Sequence, residues 1–161
     1  MDNLQQVPLI MCTMKATVAA GTTSTLSSTA TIYYCIRGKA YSRAALSNTA
    51  TPTTDATTGA AFVPITTNTG AVIVIGLNAA GTLKASQGGL QALDAAGNFV
   101  VTPQFPALPD DFCPIAYEVI KAGSTASAAG WVFGTNNQAS VTGITYAITD
   151  LMTLPDRPQV A

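Results

Sequence analysis

The sequence predicts an all-β fold, a short-stranded antiparallel sandwich or barrel with an extended N-terminal arm. Three observations lead there. Apolar and polar residues alternate with a period of two in several short runs. Turn signals built on Gly, Asn, Asp and Pro separate these runs at roughly ten-residue spacing. No window carries an apolar stripe at helical spacing, and the best case, Gly88–Ala96, would make only about two turns.

Taken in order, residues 1–14 read as an extended arm preceding a β domain of residues 15–161. Val7-Pro8-Leu9-Ile10-Met11 is apolar without helical spacing, and Pro8 keeps Val7 extended. Such an arm docks on its own domain or on a neighbour's. Residues 16–30 are neutral, low in complexity and rich in Thr, which suits a pleated surface better than a helix. Thr29–Arg37 is the first firm strand, with Ala30, Ile32, Tyr34 and Ile36 on one face. Arg37-Gly38-Lys39 turns the chain. Residues 47–60 form a polar loop long enough to be functional or ordered by a partner.

Short strands are then expected at Ala61–Thr66, Ala71–Leu77 and Thr82–Ser86. Asn78-Ala79-Ala80-Gly81 punctuates the last two, and Asp94-Ala95-Ala96-Gly97 repeats that turn sixteen residues on, before a strand at Phe99–Thr102. Pro103, Pro106 and Pro109 cannot join a ladder interior, so 103–111 reads as a rigid crossover and the best internal boundary. Ile115–Lys121, a brief Trp131–Phe133 segment and Ile144–Leu151 complete the strands. Thr153–Pro158 closes the series as a proline-locked tail.

Composition excludes several kinds of chemistry. The 161 residues hold seven Lys and Arg, eight Asp and Glu and no His, for a net charge of −1. Without imidazole there is no Ser-His-Asp or Cys-His unit and no HExxH zinc site. Seven cations offer too little positive charge to neutralise a nucleic-acid backbone. A hydrophobic content of 48% opposes disorder. The longest apolar run, Ala71–Leu77, is far short of the ~18 residues of a spanning helix, and the acidic, polar start Met1–Gln6 carries no export signal. No membrane, nucleic-acid or small-molecule partner is therefore expected.

No residue set announces catalysis, a metal or a cofactor. Cys12, Cys35 and Cys113 lack zinc or iron–sulfur spacing and read as small hydrophobes of a reducing compartment. Glu118 and Asp150 could form a carboxylate dyad if they faced each other in a cleft, but Glu118 near Lys121 reads more simply as solvated or ion-paired. Asp110-Asp111 lacks the oxygen-rich pattern of a calcium loop. Gly88-Gly89 is too sparse for a phosphate cradle. Asp156-Arg157 reads as a local ion pair. Arg37, Lys39 and Arg43 form the one cationic cluster, enough to orient docking on an acidic protein surface. Trp131 and the tyrosines near it in type, Tyr33, Tyr34 and Tyr41, could serve as sugar-stacking platforms, with core packing the simpler reading for Trp131.

Residues 80–161 resemble tailed-bacteriophage virion proteins. The likeness is carried by Gly81-Thr82-Leu83-Lys84, Gln91–Gly97, the Pro103–Asp110 crossover, Cys113-Pro114-Ile115-Ala116-Tyr117, Trp131–Thr135 and Leu154–Pro158. Looser similarity reaches back to Tyr33–Ala45. Ala116 stands where those proteins often have Gly. The resemblance implies a non-enzymatic virion structural protein, most like a capsid decoration or cement protein. Such a protein would be made in the bacterial cytoplasm and sit as a homo-oligomer, with a trimer favoured, on the major capsid protein. Its partner-binding residues are then expected in the arm (Leu4, Val7, Pro8, Leu9, Ile10 and Met11) and in Arg37, Lys39 and Arg43. A carbohydrate- or receptor-binding module of a head or tail fibre is the alternative.

Overall fold

The computed structural model describes residues 10–21 and 23–160. Within them lie eleven strands and no helix: β1 (Ile10–Cys12), β2 (Val18–Ala20), β3 (Thr25–Ser28), β4 (Ile32–Ile36), β5 (Lys39–Arg43), β6 (Thr49–Ala50), β7 (Thr69–Asn78), β8 (Leu83–Gln87), β9 (Gln91–Ala92), β10 (Phe112–Ala122) and β11 (Ile144–Asp150). All pairings are antiparallel. They build three sheets: β1-β4-β5, β2-β3-β6, and a five-stranded sheet ordered β11-β10-β7-β8 with β9 also on β7. None closes into a barrel, so the sandwich half of the expectation holds.

The large sheet is the spine. Its central strands β7 and β10 are buried on both faces, which explains why they read as continuous apolar runs instead of alternating ones. One face, bearing Ala71, Ile73, Ile75 and Leu77 of β7, packs against the two small sheets through Cys12, Val18, Leu26, Ile32 and Tyr34. The other, bearing Val72, Val74, Tyr117 and Val119, is covered by irregular chain: Phe99, Phe105, Leu108, Leu154 and Val160. The proline-rich segment 103–111 is therefore a cover and not a boundary. Phe105 meets Tyr117 edge-on at 5.2 Å, and the strands that flank the segment belong to one sheet.

Turn chemistry follows the sequence closely. Arg37 (φ 52°) and Gly38 (φ 76°) make the two-residue, left-handed link between β4 and β5. In Asn78–Gly81 the Asn78 side chain accepts the amides of Ala80 and Thr82, and Gly81 adopts φ 74°. Asp94–Gly97 repeats the device: Asp94 accepts the amides of Ala96 and Asn98, and Gly97 adopts φ 80°.

Two expected strands are absent. Over 61–66 only Ala61 and Ile65 make isolated bridges, because Pro64 has no amide to give a ladder. Instead the Gln87 side chain imitates a strand, accepting the Val63 amide at 2.8 Å and donating to the Val63 carbonyl at 3.0 Å. Over 99–102 only Phe99 bridges back to Leu93, and Val100 and Val101 are exposed.

The loop 47–60 is ordered from within. Asp55, 8% exposed, accepts the amides of Thr57 and Thr58 on Oδ1 and of Gln87 on Oδ2 at 2.7–2.9 Å, pinning the loop to β8. Replacing Asp55 by Ala leaves three amides without an acceptor. We expect a loss of about 2 kcal/mol in urea unfolding, with Asp55→Asn losing less.

Candidate functional site

The expected partner-binding residues divide into three groups. Leu4, Val7, Pro8 and Leu9 lie outside the described residues. Ile10 and Met11 belong to β1, whose rungs to β4 are Ile10–Ile36, Met11–Cys35 and Cys12–Tyr34. From Ile10 onward the arm is thus docked on its own domain, with Cys12 fully buried in the core.

Arg37, Lys39 and Arg43 do not form one patch. Arg37 and Lys39 flank the β4–β5 tip beside Ile10. Arg37 pairs with Asp110 at 3.3 Å, both side chains largely exposed, which makes the contact weak. Lys39 lies 5.4 Å from the Tyr41 ring centre. Arg43 is turned inward and donates to the Gly81 carbonyl, tying β5 to the β7–β8 turn. Tyr34 makes a parallel tie, donating to the Asn78 carbonyl at 2.8 Å.

The outward face of the β1-β4-β5 sheet is uncharged. Residues paired across a ladder share a face, so Met11, Cys35 and Ala40 form one row and Tyr33 and Ser42 the next. Tyr33 is 51% exposed, and Met14 and Met152 add exposed apolar surface alongside. Met152 is held at this edge by the Cys12 amide, which donates to its carbonyl at 2.7 Å. The sheet thus presents a neutral, partly apolar face whose one end carries the arm root and two cations.

The remaining candidates are structural in placement. Trp131 is buried, donates from Nε1 to the Asn137 carbonyl at 2.9 Å and meets Phe133 at 6.1 Å, so it packs the core and offers no stacking platform. Glu118 is fully buried with neither carboxylate oxygen hydrogen-bonded. That corrects the solvated or ion-paired reading, since Lys121 instead donates to the Val160 carbonyl. Its position between Ala116 and Ile120, on a strand apolar on both faces, was the available signal. Asp150 accepts the Val18 amide at 2.8 Å; it lies opposite Ala116, on the same face as Glu118, which is sealed from solvent. Asp156 and Arg157 form no pair, and the single ion pair among the described residues is Arg37–Asp110. No three His, Cys, Asp or Glu among the described residues are placed to hold a metal.

Burial pushes the Cys113 thiol up to about 12 and raises that of Cys12, so neither is a nucleophile near neutral pH. A surface depression of about 620 Å³ lies over the Asp94–Gly97 turn and Ser124. Its carboxylate is already engaged: hydrogen bonds from Asn98 and Ala96 hold Asp94 below the usual carboxylate range. Comparison with family models, curated proteins and solved structures returned no match to this chain.

Proposed function

We propose that this protein is a non-enzymatic virion structural protein that binds and stabilises an outer capsid shell as a decoration protein. The observation that carries the reading is the neutral outward face of β1-β4-β5, with the arm root and the Arg37–Lys39 tip at one end. Such a face loses little on desolvation, because it has no charge to strip of water. The two cations at its margin orient approach to an acidic surface without adding a large buried cost. The resemblance of residues 80–161 to tailed-phage virion proteins supplies the partner, a major capsid protein.

Affinity on this reading comes from repetition. One face of this size binds weakly, and several faces joined in a homo-oligomer bind a symmetric shell together, each raising the effective concentration of the next. The test is cosedimentation of the purified protein with undecorated shells. The double variant Arg37→Glu/Lys39→Glu should slow association about tenfold at low salt, with the difference vanishing at high salt. Copies in the hundreds per particle are expected. A handful of copies, or shells that sediment bare, would refute shell decoration.

A further inference from the structure

We propose that the N-terminal segment Leu4–Leu9 of one copy of this chain adds as a strand to the open outer edge of β11 in a second copy. The edge comes first. β11 ends the large sheet, and among the described residues it pairs only with β10. The Gly123 amide bonds the Gly143 carbonyl and the Leu151 amide the Ile115 carbonyl, which sets the ladder phase. Thr145, Ala147 and Thr149 therefore direct their backbone groups to β10, and Tyr146 and Ile148 direct theirs away from it. The outward row carries none of the usual protections: from Ile144 to Thr149 there is no charge, no proline and no bulge. Among the described residues only the far end is covered, where Val18 meets Asp150.

The occupant follows from the length of chain before Ile10 and the direction in which β1 carries it. Nine residues reach about 30 Å when extended. Asn3 to Leu9 is uncharged, with Leu4, Val7 and Leu9 apolar, and so matches a neutral edge. Pro8 lacks an amide, which confines the ladder to Leu4–Val7 and sets Pro8 at its end. A shallow cavity of about 200 Å³ beside the edge, between Val119, Lys121, Thr145 and Ala147, takes one apolar side chain of the added strand.

Direction separates a second copy from the chain's own edge. Cys12 sits beside Met152, already past the end of β11. From there to Ile10 the strand runs on toward the tip whose Arg37 reaches Asp110, before the start of β10. A chain leaving Ile10 on that course must reverse to meet its own Tyr146, and has no need to reverse for a neighbour's. Each copy gives one arm and offers one edge, a head-to-tail contact that forms a ring when the rotation between copies closes.

The inference builds on the oligomer proposed above by naming what joins its copies, and its test needs no shells. In size exclusion with light scattering the full chain should run as a multiple of 16.4 kDa. Deleting residues 1–9, which leaves β1 intact, should give the single-chain mass. Tyr146→Pro should do the same, since it removes an amide facing away from β10; Ala147→Lys, which puts a charge on the exposed edge, is the second variant should the proline unfold the chain. Mixing the armless chain with the edge variant should restore a 1:1 dimer, one arm on one edge. A full chain that stays single at every concentration, an armless chain that stays oligomeric, or a mixture that remains monomeric would overturn arm exchange. A monomer that still coats shells would remove this inference and leave shell binding, and an oligomer that ignores shells would do the reverse.

Discussion

Raising the pH from 5 to 8 should destabilise this protein by several kcal/mol, and Glu118→Gln should abolish most of that loss. Glu118 lies opposite Ile73 of β7 and Ile148 of β11, with Ala116 and Ile120 beside it on the same face of β10. It is fully buried and neither oxygen has a partner. Burial raises its pKa from an ordinary 4.5 to about 8, so the folded protein holds the proton across a range in which the unfolded chain releases it. The folded state is then favoured by this group below pH 4.5, and the advantage drains away as pH rises toward 8. At ~1.4 kcal/mol per unit the whole window amounts to about 5 kcal/mol.

Urea midpoints at pH 5, 6, 7 and 8 read this directly. Gln copies the protonated acid in shape and cannot ionise, so wild type and variant should match near pH 5 and diverge steadily above it. Working above pH 5 keeps the depressed Asp94 carboxyl, which acts in the opposite direction, out of the window. A wild-type profile flat from pH 5 to 8, or a Gln variant no more stable than wild type at pH 8, would show that Glu118 finds a partner in solution. The same burial bears on the carboxylate-dyad reading: an acid with no exposed atom cannot reach a glycosidic oxygen.

How far the sequence exposes this fold depends on what local pattern can encode. β4 was legible because it is half buried: Ile32, Tyr34 and Ile36 face the core and Tyr33 faces water. The Asn78 and Asp94 turns were legible because an Asx side chain bonding its own backbone is a local device. The cover over the second face of the large sheet was not, because Phe99, Phe105 and Leu108 bury themselves in extended coil with no period to detect. β1 looks like arm in the sequence for a similar reason. Three residues carry no alternation, and what makes Ile10–Cys12 a strand is the edge of β4, more than twenty residues away. For the docking residues, charge was visible and orientation was not: Arg43 looks like Arg37 in the sequence, yet it is folded back on Gly81.

Gly76→Ala should be the most damaging single methyl group that can be added to the large sheet. Gly76 lies within β7 opposite Pro114, at the rung where the β7–β10 register shifts. Ile115 and Ala116 together oppose Ile75, a bulge that bends β10 and lets Pro114 sit in a ladder it could not otherwise join. The bend brings the chain down onto Gly76. A Cβ there would lie 2.4 Å from the Cys113 carbonyl oxygen and 2.6 Å from the Phe112 ring. Phe112 and Cys113 are both buried, so neither has room to withdraw. Overpacking of this kind costs about 3 kcal/mol or more when backbone must move, roughly a 10 °C fall in melting temperature for a chain of this size. Two controls separate close approach from any general intolerance of alanine. Gly89→Ala, whose new Cβ would meet nothing nearer than 4.0 Å, should leave the melting temperature unchanged or slightly raised. Gly76→Ala combined with Phe112→Leu should recover little, because the carbonyl contact remains. Full rescue by the second change would place the constraint in the ring and not in the bulged backbone.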